Sequence, residues 1–163
     1  MIERRTVWRE GATAGLLGAG GVAVWFLVVD FFAGQPLRTP ALLGTALLHV
    51  FGRGLQPGVL VSTVAYSVFH VAAFVIIGVI AARLLEASRR VPQVAAGLLI
   101  LFAVFEVGFY FLATAISGQI LGALPWYQVG AANIVAAALT GGYLWRRHPE
   151  FAPALGHALD GSV

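Results

Sequence analysis

The chain has 163 residues, 60 % of them hydrophobic and only 10 % charged, with a mean hydropathy of +0.89. That is the composition of a membrane protein, with room for one helical bundle and none for a separate soluble catalytic domain. The absence of cysteine excludes disulfides, thiolate metal sites and cysteine nucleophiles. The net charge of +3 comes from ten arginines, with no lysine. They flank apolar segments and form no basic stripe interleaved with aromatics, so they read as topology signals and not as a nucleic-acid surface.

Four apolar segments are each long enough to span roughly 30 Å of hydrocarbon as a helix. The first runs from about Gly11 to Phe32. Its apolar part is longer than the roughly 7–15 residues of a signal peptide and it has no small-x-small cleavage site, so a retained transmembrane helix is expected. Gly11, Gly15, Gly18, Gly20 and Gly21 lie within it, with a GxxxG pair at Gly11 and Gly15. Small residues four apart let helices approach closely, within the bundle or against a copy or partner. No strand precedes them, so they are not a phosphate-binding loop.

The first connection is long. In it Thr39-Pro40 reads as a helix N-cap followed by proline at the first helical position. The helix over residues 40–51 is too short to span and is expected to lie in the interface or re-enter the bundle. The second span is expected from about Val59 to Leu85, the third from about Val94 to Ile116 and the fourth from about Leu124 to Trp145. Pro125-Trp126-Tyr127 opens the last with aromatic interface anchors.

Arginine placement orients the bundle. Arg4, Arg5, Arg9, Arg83, Arg89, Arg90, Arg146 and Arg147 fall on one side, and Arg38 and Arg53 on the other. The positive-inside rule then puts both termini in the cytoplasm. The expected fold is all-α: an integral membrane four-helix bundle with one short interfacial or re-entrant helix, forming a single transmembrane domain over residues 1–163.

Glu106 interrupts the third segment near its middle, where a carboxylate must be neutralised, paired, hydrated or turned toward protein. On the second segment Thr63, Tyr66, Ser67 and His70 follow i, i+3, i+4, i+7 spacing. His70 lies about 15 Å from the outer end and Glu106 about 18 Å from the inner one, so antiparallel neighbours bring them to one level. Tyr110 and Asn133 extend the polar set, and Asp30 lies at the outer end of the first segment. Together Asp30, Tyr66, His70, Glu106, Tyr110 and Asn133 form the candidate intramembrane site, a polar cavity open toward the outer side.

For Tyr66, Ser67, Thr114, Asn133 and Thr140 the plainer reading is interhelical hydrogen bonding. For His70 and Glu106 structural pairing and function weigh evenly. Asp30 reads first as a solvated end residue or a partner for Arg38. No catalytic residues are assigned, and no metal site, since HExxH or similar ligand spacing is missing. No cofactor is expected. A b-type haem on His70 is the lesser alternative, because a second axial histidine would have to come from a re-entering His49 or a second copy.

Tyr66 to His70 in an apolar helix, the Leu124-Pro125-Trp126-Tyr127 opening and the exit through Arg146-Arg147 resemble small bacterial inner-membrane proteins of the YagU-like kind. The resemblance covers about half of the chain. It implies a multi-pass protein of the bacterial cytoplasmic membrane and no particular reaction. The leading functional expectation is a non-enzymatic membrane protein, free-standing or an accessory subunit, whose partners are the lipid bilayer and a membrane complex or second copy. The alternative is a proton- or small-ligand-handling protein built on His70 and Glu106.

Overall fold

The structure is a computed structural model that describes residues 2–51, 57–88 and 125–149. These residues form four helices and no strand: α1 (Ile2–Phe32), α2 (Arg38–Phe51), α3 (Val59–Ser88) and α4 (Trp126–Arg147). Two of them, α1 and α3, are long and apolar enough to cross a membrane. The shorter α4 carries Gln128, Asn133 and Thr140 along its length. The expected third span, Val94–Ile116, lies outside the described residues.

α1 begins earlier than its apolar segment, taking in Arg4, Arg5 and Arg9. It ends in a Schellman turn. Gly34, at φ 71°, supplies the left-handed residue; its amide bonds the Phe31 carbonyl at 3.0 Å, and Gln35 N–H bonds the Asp30 carbonyl at 3.0 Å. Two carbonyls that a helix end leaves unpaired are thereby satisfied.

α1 is the common wall of the bundle. Gly11 meets Gly78 and Val79, Gly15 meets Phe74 and Val75, and Ala19 meets His70, so α3 runs antiparallel to it. Ala14 meets Thr140, Gly21 meets Val135 and Leu139, and Trp25 meets Gln128, so α4 does the same. α3 and α4 are therefore parallel to each other, and the chain between Ser88 and Pro125 connects opposite ends of α1.

The α1–α3 contact is backbone on backbone. A Cβ added to Gly78 would stand 2.6 Å from the Gly15 nitrogen, and one on Gly15 would stand 2.7 Å from the Val75 Cα. The GxxxG pair is thus used inside the chain. Two clusters complete the packing. Val22, Phe26, Val129, Ala132 and Ala136 gather in the half nearer Asp30; Ala14, Ala82, Leu85 and Leu144 gather in the half nearer Trp8.

α2 folds back on the Asp30 end. A Cβ on Gly44 would stand 2.9 Å from the Ser62 Cα, and Leu43 packs on the Val22–Phe26 cluster. The helix starts one residue before Thr39. Leu37 occupies the cap position, with its carbonyl accepting Ala41 N–H at 3.1 Å. Thr39 is therefore the second helical residue and not the N-cap, and Pro40 is the third, still within the turn whose amides have no partner in the helix.

Gly78→Leu is expected to lower the thermal midpoint of the full chain in mild detergent, followed by circular dichroism, because neither backbone can retreat without opening the seam. The cost is at least about 1–3 kcal/mol, as for other overpacked sites. Gly20, with nothing within 4 Å of an added Cβ, is the control, and Gly20→Leu should leave the midpoint unchanged.

Candidate functional site

His70 lies level with Ala19, halfway along the Thr6–Phe32 apolar stretch of α1. Its Nε2–H donates to the Ala19 carbonyl at 3.3 Å. A carbonyl only accepts, so Nε2 carries a proton. The ring lies between Tyr66, stacked at 5.4 Å between centroids, and Phe74, tilted at 4.6 Å. Helical spacing of four residues delivers both neighbours, and the small Ala19 exposes the carbonyl that the ring reaches.

The polar face of α3 divides. Ser67 is exposed and donates to its own helix, bonding the Thr63 carbonyl at 2.8 Å. Tyr66 and His70 are half-buried. Thr63 Oγ1 is a buried hydroxyl oxygen with no hydrogen-bond partner among the described residues.

Asp30 is buried, 3 % exposed. One carboxylate oxygen accepts Thr39 N–H at 2.7 Å, and the other accepts the Thr39 hydroxyl at 2.8 Å. This differs from a solvated end residue or an Arg38 partner, and the cause is the α1–α2 turn, which lays the start of α2 over the carboxylate. A carboxylate at a helix N-terminus is stabilised by the unpaired amides and by the helix dipole. Asp30 lies eleven residues beyond Ala19, about 16 Å along the helix at 1.5 Å per residue, which separates it from His70.

Asn133 is half-buried on α4, next to the Ala132 and Ala136 positions that pack on α1. The structure thus brings Tyr66 and His70 together and places Asp30 in a different interaction. Glu106 and Tyr110 lie outside the described residues. His49 is exposed, and its Nδ1–H donates to the Thr45 carbonyl one turn back at 3.0 Å. Among the described residues no three His, Asp or Glu side chains converge where a metal ion could sit.

Three polar contacts were not foreseen from the sequence. Thr45 donates to the Ala41 carbonyl at 2.9 Å, so the bond between Thr45 Oγ1 and Ser62 Oγ, 3.0 Å, has Ser62 as its donor. Ser62 is fully buried, and only the contact at Gly44 allows the two helices to come close enough. At the other end His148 Nε2 donates to Glu10 Oε2 at 3.1 Å, joining the exit of α4 to the start of α1. The Arg83 guanidinium stands 4.4 Å from the Trp8 ring centroid, where the ring's negative face attracts it. All three join residues on different elements that no spacing rule connects.

No protein-family model matches the chain, and neither a curated protein nor a solved structure does.

Asp30→Ala should leave two buried donors of Thr39 unpaired, at about 1–3 kcal/mol each. Thr39→Val removes only the hydroxyl bond and should cost less. Hydrogen exchange should show the first amides of α2 opening in Asp30→Ala while the α1–α3 seam stays protected. Equal destabilisation by the two variants would mean that the backbone bond contributes little.

Proposed function

We propose that the chain is a small multi-pass membrane protein without catalytic machinery, acting as a free-standing helical bundle or as an accessory subunit of a membrane complex. The observation that carries this reading is the number of large apolar side chains left exposed along α1 and α3, outside a seam rich in small residues. Their packed faces hold Gly11, Ala14, Gly15, Ala19, Ser62, Gly78 and Ala82 beside Val22, Phe26, Val79 and Leu85. Their exposed faces hold Leu16, Val24, Leu27, Phe31, Val64, Val68, Phe69 and Ile76.

Water would drive the large apolar groups inward. Lipid does not, and leaves helix association to close packing of small residues and to hydrogen bonds. His70, Thr140 and Trp25 serve that association by donating to main-chain carbonyls on neighbouring helices. In a hydrocarbon core such donors need an internal acceptor.

The sequence segments Val94–Ile116, outside the described residues, and Leu124–Trp145 complete four spans. The excess of arginine on one side supports both termini in the cytoplasm of a bacterial cell. Because Gly11, Gly15 and Gly78 are occupied within the chain, a partner or a second copy would dock on the apolar exterior. Full-length protein should resist alkaline carbonate extraction from membranes. Fluorescent-protein fusions at either end should glow, and alkaline phosphatase fused in the Gly52–Gln56 segment should be active. The reverse pattern of reporters would overturn the orientation.

A second reading draws on His70, an ionisable ring half-buried at mid-span, the kind of residue that marks proton and ligand routes. In it His70 and Glu106, with Tyr66, Tyr110 and Asn133 around them, handle a proton or small ligand. His70→Ala and Glu106→Gln should each abolish proton uptake by reconstituted vesicles, followed with a pH-sensitive dye, while the protein still inserts. Parallel loss of folded protein in both variants would instead make the pair structural.

A further inference from the structure

At the Asp30 end the α1–α2 turn, α2 and the start of α3 enclose an open recess of about 400 Å³. That is within the roughly 300–1,000 Å³ range of small-molecule sites. Pro36, Leu37, Leu42 and Val59 make its walls apolar, and Gln35 and Arg38 bring polar groups to it. Thr45 also borders it, but its hydroxyl is already engaged with Ala41 and Ser62.

The Arg38 guanidinium has no ion-pair partner among the described residues. Asp30, the nearest acid in the sequence, gives both oxygens to Thr39. A guanidinium offers only donors, arranged in a fork that matches a phosphate or carboxylate, so the recess presents an uncompensated site for an oxyanion. Leu37, beside it, is held at φ 69°. Large side chains seldom adopt that left-handed conformation, and strain of this kind concentrates at ligand clamps.

The surroundings narrow the ligand further. Phe31, Phe32 and Leu60, near the recess in the chain, are 69 %, 84 % and 74 % exposed. They continue into the apolar exteriors of α1 and α3. A soluble anion gains nothing from apolar surface of this kind, whereas a molecule with an anionic head and an apolar tail matches both the recess and the helix exteriors.

We propose that this recess binds the phosphate head of an anionic membrane phospholipid, with Arg38 and Gln35 as donors and the exposed apolar side chains of α1 and α3 along its acyl chains. The proposal rests on the membrane reading. It favours an anionic head over a zwitterionic one, because a choline group would bring a second cation to Arg38.

The test uses the full chain purified in maltoside detergent and native mass spectrometry, with phosphatidylglycerol, phosphatidylcholine and inorganic phosphate as separate probes. Phosphatidylglycerol should be retained about tenfold more tightly than phosphatidylcholine, the scale of one close like-charge contact near a protein surface. Arg38→Gln should erase that preference, and Leu42→Trp, which fills the recess, should reduce retention of both lipids. Equal retention of phosphatidylglycerol by the unaltered protein and both variants would overturn the proposal. So would Arg38-dependent binding of inorganic phosphate that the lipid does not displace. Carbonate extraction separates the two readings: loss of the unaltered protein from the membrane sinks the membrane assignment itself, whereas secure insertion without lipid preference sinks only the lipid site.

Discussion

The bundle depends on the close approach of two backbones. Where α1 crosses α3, Gly11 and Gly15 face Gly78, and an added Cβ on any of them would meet main-chain atoms. Dispersion between closely packed surfaces falls off steeply with distance, so this seam gains from every fraction of an ångström. It also sets the register. With Gly15 against Phe74 and Val75, the next turns bring His70 to Ala19 and carry the start of α3 toward the Asp30 end, where α2 meets Ser62.

Close approach also determines where polar groups go. The carbonyls of Ala14 and Ala19 lie under small side chains, and they are the ones that Thr140 and His70 reach. Each carbonyl retains a second lone pair beyond its own helical bond, so the interhelical bond does not break the ladder. Asp30 uses the same economy at the helix end. Its main chain closes the Schellman turn through Gln35, while its side chain fixes Thr39 at the start of α2. One residue thereby both stops a helix and starts the next.

Much of the helical architecture was legible in the sequence because it follows from local composition. α1, α2, α3 and α4 cover the first apolar segment, the short helix of the first connection, and the second and fourth apolar segments. The GxxxG spacing identified a packing face but not its occupant, which depends on tertiary register. The expected N-cap at Thr39 was displaced because Leu37 adopts a left-handed conformation, an event propensity argues against. Asp30 was read by depth alone, and depth does not reveal that α2 folds back over it. No local pattern marks Glu10 and His148, since only the antiparallel placement of α4 on α1 joins them. Of the candidate site, stacking of Tyr66 on His70 follows from their spacing, whereas the level of Glu106 lies beyond the described residues.

The position of α1 as the common wall bears on how the chain is made. Synthesis proceeds from the N-terminus, and α3 and α4 each find their described neighbour in a helix that has already emerged. α3 can settle on the waiting glycine face of α1 ahead of α4, and α4 can close on the other flank through Trp25, Thr140 and His148. The order of translation and the order of packing thus coincide, and no described helix has to leave one neighbour in order to meet another.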